Sequence, residues 1–147
     1  MEDLLADVYE NPPLASIGSR LGAAFIDLVL VITFFAVLGY FWGEHYINEE
    51  GGSGLRLSGL PALAWFSLCF LIMPLQEGLT GKTIGKRVMG LKVVRKDYSD
   101  GGVGASIVRH LFDVVDMFFL AGIIVAATNP LRQRVGDLVA GTIVIKG

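Results

Sequence analysis

Residues 21–42, LGAAFIDLVLVITFFAVLGYFW, decide the fold, because Asp27 is the only charged residue in this run. A helix that rises about 1.5 Å per residue over this run is long enough to cross the roughly 30 Å hydrocarbon core of a bilayer. Of the 147 residues, 53% are hydrophobic and only 18% are charged, whereas a soluble domain carries about 25% charged residues. The sequence predicts a small integral membrane protein, and it disfavours a soluble enzyme, a disordered chain and a disulfide-rich fold.

A second apolar run, residues 57–76, has no charge between Arg56 and Glu77, and Pro61 and Pro74 lie near its two ends. Proline is tolerated in the first turn of a helix and interrupts a helix elsewhere. The run therefore predicts a second spanning helix, so that the two predicted spans are residues 17–42 and 57–76.

A third apolar segment, residues 106–128, contains Arg109, Asp113 and Asp116. Its charge-free part, residues 117–131, makes only about 22 Å of helix, which is short of a full crossing. Two alternatives follow: the segment spans with both aspartates near one interface, or it enters the membrane and returns as a re-entrant segment with a bend near Ala121-Gly122.

The basic residues predict the orientation. Residues 77–110 hold seven of the 12 lysines and arginines, whereas the loop between the first two runs holds only Arg56. Basic loops favour the cytoplasmic side. We therefore expect residues 77–105, residues 129–147 and the N-terminus to be cytoplasmic, in a single multi-pass domain (residues 1–147) of the cell (inner) membrane.

Residues 90–94 and 142–146 are short β-branched runs typical of strands. They can pair only if both lie on one face of the membrane, which favours the re-entrant alternative. The predicted fold class is an all-α membrane protein with two transmembrane helices, a third re-entrant or spanning helical segment and a short cytoplasmic β-hairpin-like element.

Arg20 and Asp27 are candidate functional residues of the first span. They share one helix face but lie about 10 Å apart along the axis, so each needs a partner from elsewhere. A carboxylate within a span costs roughly 2.5–3.5 kcal/mol on insertion scales and usually faces the protein interior. Asp27 is interpreted either as an ion or proton site, or as a structural group that is neutral or paired with a basic residue such as Arg109.

Arg109, Asp113 and Asp116 have the spacing of one polar helix face. They form either the wet face of an interfacial helix or a cation-attracting cluster near Asp27. The single cysteine, Cys69, and the isolated histidines predict no disulfide, metal site or cofactor. The net charge of −2 gives no reason to expect nucleic acid.

Several segments together resemble the RDD family of small, mainly prokaryotic membrane proteins: residues 20–27 (RLGAAFID), 81–94 (GKTIGKRVMGLKVV), Arg109 and 133–142 (QRVGDLVAGT). The resemblance extends over about residues 14–146. The arginine and two aspartates that name the family fall on Arg20, Asp27 and Asp137. Position 136, often histidine in the family, is glycine here, so no role of that histidine is carried over. Further motif positions are Lys82, Gly85, Lys86, Gln133, Gly141 and Thr142.

The resemblance implies two kinds of function, because some members look like cation/proton antiporters and others resemble modules of larger membrane assemblies. The first hypothesis is transport of monovalent cations coupled to protons, with Asp27 as the exchanging site and a homo-oligomer forming the pathway. The alternative is a non-catalytic accessory module that binds a partner membrane protein or a lipid. An intramembrane aspartyl protease is disfavoured because the only Gly-Asp pair, Gly136-Asp137, lies in a charged tail.

Overall fold

The computed structural model describes residues 13–119 and 121–147, with side chains for residues 13–113 and 122–147. Two long helical stretches, Ile17–Trp42 and Gly59–Val88, are the candidate membrane spans of the described residues. The elements in chain order are α1 Ile17–Trp42, β1 Glu44–Ile47, β2 Ser53–Arg56, α2 Gly59–Ser67, a π-helical segment Leu68–Ile72, α3 Met73–Thr80, α4 Ile84–Val88, β3 Leu91–Arg95, α5 Gly102–Phe119, α6 Ala121–Thr128, α7 Val135–Ala140 and β4 Thr142–Lys146.

Helix α1 begins where Ser16 caps it, because the Ser16 hydroxyl oxygen accepts a hydrogen bond from the Ser19 amide at 3.1 Å. Such a cap satisfies one of the amides that a helix start leaves without a partner. The helix ends at Gly43, whose backbone is extended. Most of its large apolar side chains, Phe25 and Phe41 among them, are exposed, as expected for a helix that faces lipid.

The second helical stretch contains a π-helical segment directly before Pro74, the second residue of α3. Proline has no amide hydrogen, and its ring disturbs the preceding turn, so a wider turn at this point accommodates it. Helix α3 ends at Gly81, which has φ 71°. Only glycine adopts this left-handed conformation without strain, and the Gly81 carbonyl then accepts a hydrogen bond from Val93 at 2.7 Å.

Strands β3 and β4 pair antiparallel, with Val93 opposite Val144, and Leu14 forms an isolated bridge to Ile145. Together with Ala23 of α1, side chains of this sheet form a small buried core. A second antiparallel pair, β1–β2, lies in the loop between the spans. The all-α prediction therefore holds only in part: the protein is mostly helical and includes two small antiparallel sheets.

The third apolar segment consists of α5 and α6, on either side of residue 120, which is outside the described residues. It is not among the candidate spans found in the described residues. Since β3 precedes it and β4 follows it in the same sheet, a single complete crossing would place the paired strands on opposite faces of the membrane. The pairing of β3 with β4 is compatible with a third segment that returns to the side of the membrane on which it starts.

Candidate functional site

Arg109 of α5 is buried at the centre of an ionic network that joins five helices, α1, α3, α4, α5 and α7. Its Nε atom lies 3.2 Å from Glu77 Oε1, and its Nη2 atom lies 3.1 Å from Asp137 Oδ1. Its Nη1 atom donates a hydrogen bond to Thr142 Oγ1 at 3.2 Å. A buried charge is costly unless it is paired, and Arg109 has partners on α3, α7 and β4. The network comprises Arg20, Glu77, Lys86, Arg109, Arg134 and Asp137.

Asp137 of α7 receives charged donors from several directions. Its Oδ2 atom accepts a hydrogen bond from Arg20 Nη2 and another, at 3.1 Å, from the backbone amide of Arg134. Arg20 also donates to the Arg132 carbonyl. Burial favours the neutral acid, but the positive charges of Arg109, Arg20 and Arg134 outweigh it and hold the pKa of Asp137 below its ordinary value.

Glu77 is the carboxylate at the other end of the network, and the sequence analysis did not select it. Lys86 Nζ lies 2.6 Å from its Oε2 atom, and the Ser106 hydroxyl donates to its Oε1 atom at 3.4 Å. Its side chain is buried. The available indication was its position as the first charged residue after the second apolar run.

Asp27 does not pair with the network arginine that the sequence analysis suggested, since the carboxylate partners of Arg109 are Glu77 and Asp137. The Asp27 carboxylate accepts hydrogen bonds from the Thr83 hydroxyl at 2.5 Å and the Gly85 amide at 2.7 Å. It therefore caps the start of α4, a position where negative charge is favourable.

Gly85 allows this contact between α1 and α4. A Cβ atom at Gly85 would overlap the carbonyl oxygen of Ala23 and would lie 2.9 Å from Asp27 Cγ. The two helices therefore approach to backbone contact, which explains in physical terms why this motif position holds glycine.

The polar face predicted for α5 divides between two environments. Arg109 points into the network, whereas Asp113 is partly exposed and its Oδ1 atom lies 2.6 Å from Arg134 Nη1. His110 Nε2 is 4.0 Å from Asp113 Oδ2. The side chain of Asp116 lies outside the described side chains. Its place on this polar face therefore stays a prediction.

The remaining motif residues connect the tail to the rest of the protein. Lys86 forms an ion pair with Glu77. Gln133 Nε2 donates to the Thr142 carbonyl at 2.7 Å, and Lys82 Nζ donates to the Gly147 carbonyl at 3.0 Å. Gly141 ends α7 with φ 66°, a conformation that favours glycine. These contacts hold α7 and β4 against the ends of the helices.

A cavity of about 770 Å³ lies beside the network. We call its charged lining residues the floor: Arg20, Asp27, Lys86, Arg109, Asp113 and Arg134. We call six of its large apolar lining residues the walls: Phe25, Leu28, Val31, Phe70, Met73 and Ile123. Phe25, Leu28 and Phe70 of the walls belong to the two candidate spans and are exposed, so the cavity is open rather than enclosed. His110 and Cys69 also line the cavity.

The described residues hold no group of three or more His, Cys, Asp or Glu side chains arranged to bind a metal ion. The network carboxylates instead have arginine and lysine partners within 3.5 Å.

The model of the RDD family matches residues 14–141. The chain belongs to the RDD family. This membership and the two apolar helices indicate a membrane protein. No curated protein and no solved structure matches the chain. In this RDD protein the arginine and the second aspartate of the motif, Arg20 and Asp137, form an ion pair, whereas the first aspartate, Asp27, caps α4.

Proposed function

We propose that this RDD protein is a non-catalytic accessory module of the membrane that binds a bilayer lipid in the cavity described above. The observation that carries the proposal is the combination of a charged floor with apolar walls in one open cavity whose walls include residues of both candidate spans. Its volume of about 770 Å³ falls within the range of roughly 300–1,000 Å³ for pockets that hold small ligands. Apolar walls suit an acyl chain, and a charged floor suits a head group.

The ionic network supports this function by keeping the floor in place. Its pairs connect α1, α3, α4, α5 and α7, and the ion pair between Arg20 and Asp137 joins residues 117 positions apart. Removing one partner of a buried pair leaves an uncompensated charge, so the arrangement resists local movement. A binding site whose polar groups are fixed in advance loses less conformational entropy when the ligand binds.

Two neighbouring residues of α1 provide a matched test. Leu28 belongs to the walls, whereas Val29 is not part of the cavity lining, and their exposed fractions are 43% and 44%. We expect Leu28→Trp to fill the cavity and to retain several-fold less phospholipid per protein after purification in mild detergent. Val29→Trp should retain as much as the wild type. Equal lipid content in all three proteins, measured by extraction and mass spectrometry, would contradict the proposal.

Cation transport coupled to protons is the second candidate, favoured by one observation: Asp27 is a carboxylate within a candidate span and borders the cavity. Intramembrane carboxylates often mark ion or proton pathways. Here both Asp27 oxygens already accept hydrogen bonds from Thr83 and Gly85, so exchange requires these donors to move away.

Proteoliposomes distinguish the two candidates. Transport predicts proton flux driven by a Na⁺ or K⁺ gradient that Asp27→Asn abolishes and that the exposed-lysine variant Lys96→Gln keeps. The accessory-module proposal predicts flux no greater than that of empty liposomes for all three proteins. The transport hypothesis requires a homo-oligomer, and binding of a partner membrane protein is the other form of the accessory-module hypothesis. Crosslinking in the same preparations tests for both assemblies.

A further inference from the structure

We infer that the lipid is an anionic phospholipid whose phosphate lies against the floor of the cavity; this inference rests on the proposed lipid-binding function. The position of the charged side chains supports an anionic ligand. Glu77 and Asp137, which balance the floor arginines and lysine, are fully buried behind them and do not line the cavity. Three of the four floor cations, Arg20, Lys86 and Arg134, are partly exposed, whereas Arg109 is buried. A ligand in the cavity therefore meets the cations before it meets their buried partners.

The two acids that do line the floor already have partners of their own. Asp113 lies against Arg134, and Asp27 accepts hydrogen bonds from Thr83 and Gly85. The His110 ring carries no negative charge. The described lining thus carries four cations against two carboxylates, and its guanidinium and ammonium groups are donors only. Phosphate oxygens match the guanidinium fork, and charge-assisted hydrogen bonds are among the strongest in proteins.

The depth of the floor along the candidate spans supports the same ligand. Arg20 lies in the first turn of α1, and Lys86 lies in α4, just after the end of α3. The floor therefore lies at one common end of the two candidate spans, at the level where lipid head groups are found. Walls formed by Leu28, Val31 and Phe70 continue from there along the spans. This arrangement, with basic groups at the interface and apolar groups below, matches a phospholipid that enters from the bilayer.

The charge preference is tested by offering equimolar phosphatidylglycerol and phosphatidylcholine to the full chain and quantifying the bound lipid by native mass spectrometry. We expect about tenfold more bound phosphatidylglycerol, in line with the gain from one charge-assisted contact. Lys86→Gln should reduce this preference several-fold. Lys86→Arg, which keeps the charge, and Lys96→Gln, which removes an exposed charge elsewhere, should retain it.

A second measurement needs no substitution in the network. Cys69 is the only cysteine and lines the cavity, so its alkylation by a maleimide reports occupancy. In nanodiscs that contain phosphatidylglycerol, we expect several-fold slower alkylation than in nanodiscs of phosphatidylcholine alone. Inorganic phosphate added to the latter should leave the rate unchanged. Protection by phosphate alone would overturn the lipid assignment in favour of a free anion.

The outcomes separate the inference from the proposed function. If the wild type binds both lipids equally and Leu28→Trp loses both, the lipid-binding function stands and the anionic preference is overturned. If phosphatidylglycerol stays bound to Leu28→Trp, the lipid occupies another place and the inference is overturned. If the wild type binds neither lipid, the proposed function fails, and the inference fails with it.

Discussion

Arg109 joins two carboxylates that have almost no contact with water, Glu77 and Asp137. We expect Arg109→Gln to lower the free energy of unfolding by about 3–5 kcal/mol, because both carboxylates lose their shared cation. The exposed residue Arg95 is the matched control, and Arg95→Gln should change stability by less than about 1 kcal/mol. Denaturant unfolding in detergent micelles measures both variants. A similar small effect for both would contradict the burial of the network.

Asp137 makes the stability depend on acid pH. Since its pKa in the folded protein lies below its ordinary value, about 3.9 for an unperturbed aspartate, its stabilising effect is complete above that value. The effect is lost as the pH falls through the folded pKa. We expect the thermal unfolding temperature to fall below about pH 4. Asp137→Asn should be less stable at pH 7 and should show a shallower acid decline.

The exposed residue Asp100 provides the comparison for this acid dependence. Asp100→Asn should follow the wild-type curve, because an exposed ion pair such as Lys92–Asp100 contributes little. An unchanged acid decline in Asp137→Asn would mean that other carboxylates account for all of it.

The family motif selected residues that make ion pairs and hydrogen bonds in the structure, but it did not indicate their partners. Arg20, Asp27 and Asp137 were selected from sequence, yet the partner of Arg20 is 117 positions away, a distance over which local periodicity carries no information. Glu77 was missed because one charge at the end of an apolar run is also typical of a helix end in the interface. Its role depends on Arg109, a residue of another helix.

At the scale of elements, the contact between α1 and α4 depends on Gly85. We expect Gly85→Ala to lower stability by about 1–3 kcal/mol, since the new methyl group meets the Ala23 backbone and the helices must separate. Gly104 of α5 has nothing within 4 Å of an added Cβ. Gly104→Ala should therefore be neutral or stabilising, by up to about 1 kcal/mol. Thermal unfolding compares the pair, and equal effects would contradict the close approach.

The elements were predictable to different degrees. The β3–β4 pair follows from two β-branched runs, whereas β1 and β2, with the sequences EHYI and SGLR, contain one β-branched residue between them and gave no strand pattern. The π-helical segment Leu68–Ile72 was also not predicted, because a continuously apolar run has no periodicity that would reveal a wider turn. The two candidate spans were the most predictable elements, since Asp27 is the only charged residue in the two apolar runs, residues 21–42 and 57–76, once Arg56 and Glu77 are taken as flanking charges.

At the scale of the whole molecule, the paired strands β3 and β4 predict that the two segments flanking α5 and α6 lie on the same side of the membrane. In a Cys69→Ala background, we expect Glu50→Cys to react with a membrane-impermeant maleimide in spheroplasts. Lys96→Cys and Lys146→Cys should react only after permeabilisation. Labelling of Lys146→Cys together with Glu50→Cys would show that the third segment crosses completely.

The separation in sequence between Arg20 and Asp137 also has a consequence for biosynthesis. A ribosome that adds about 5–20 residues per second releases α1 well before Asp137 exists. Arg20 and Arg109 therefore lack the carboxylate that both contact, that of Asp137, until α7 has been translated. A chain that stops before Asp137 keeps both apolar helices but lacks this acid. Such a product leaves Arg20 without the carboxylate of Asp137 and Arg109 with that of Glu77 alone, a chemical difference by which membrane proteases could distinguish unfinished chains from complete ones.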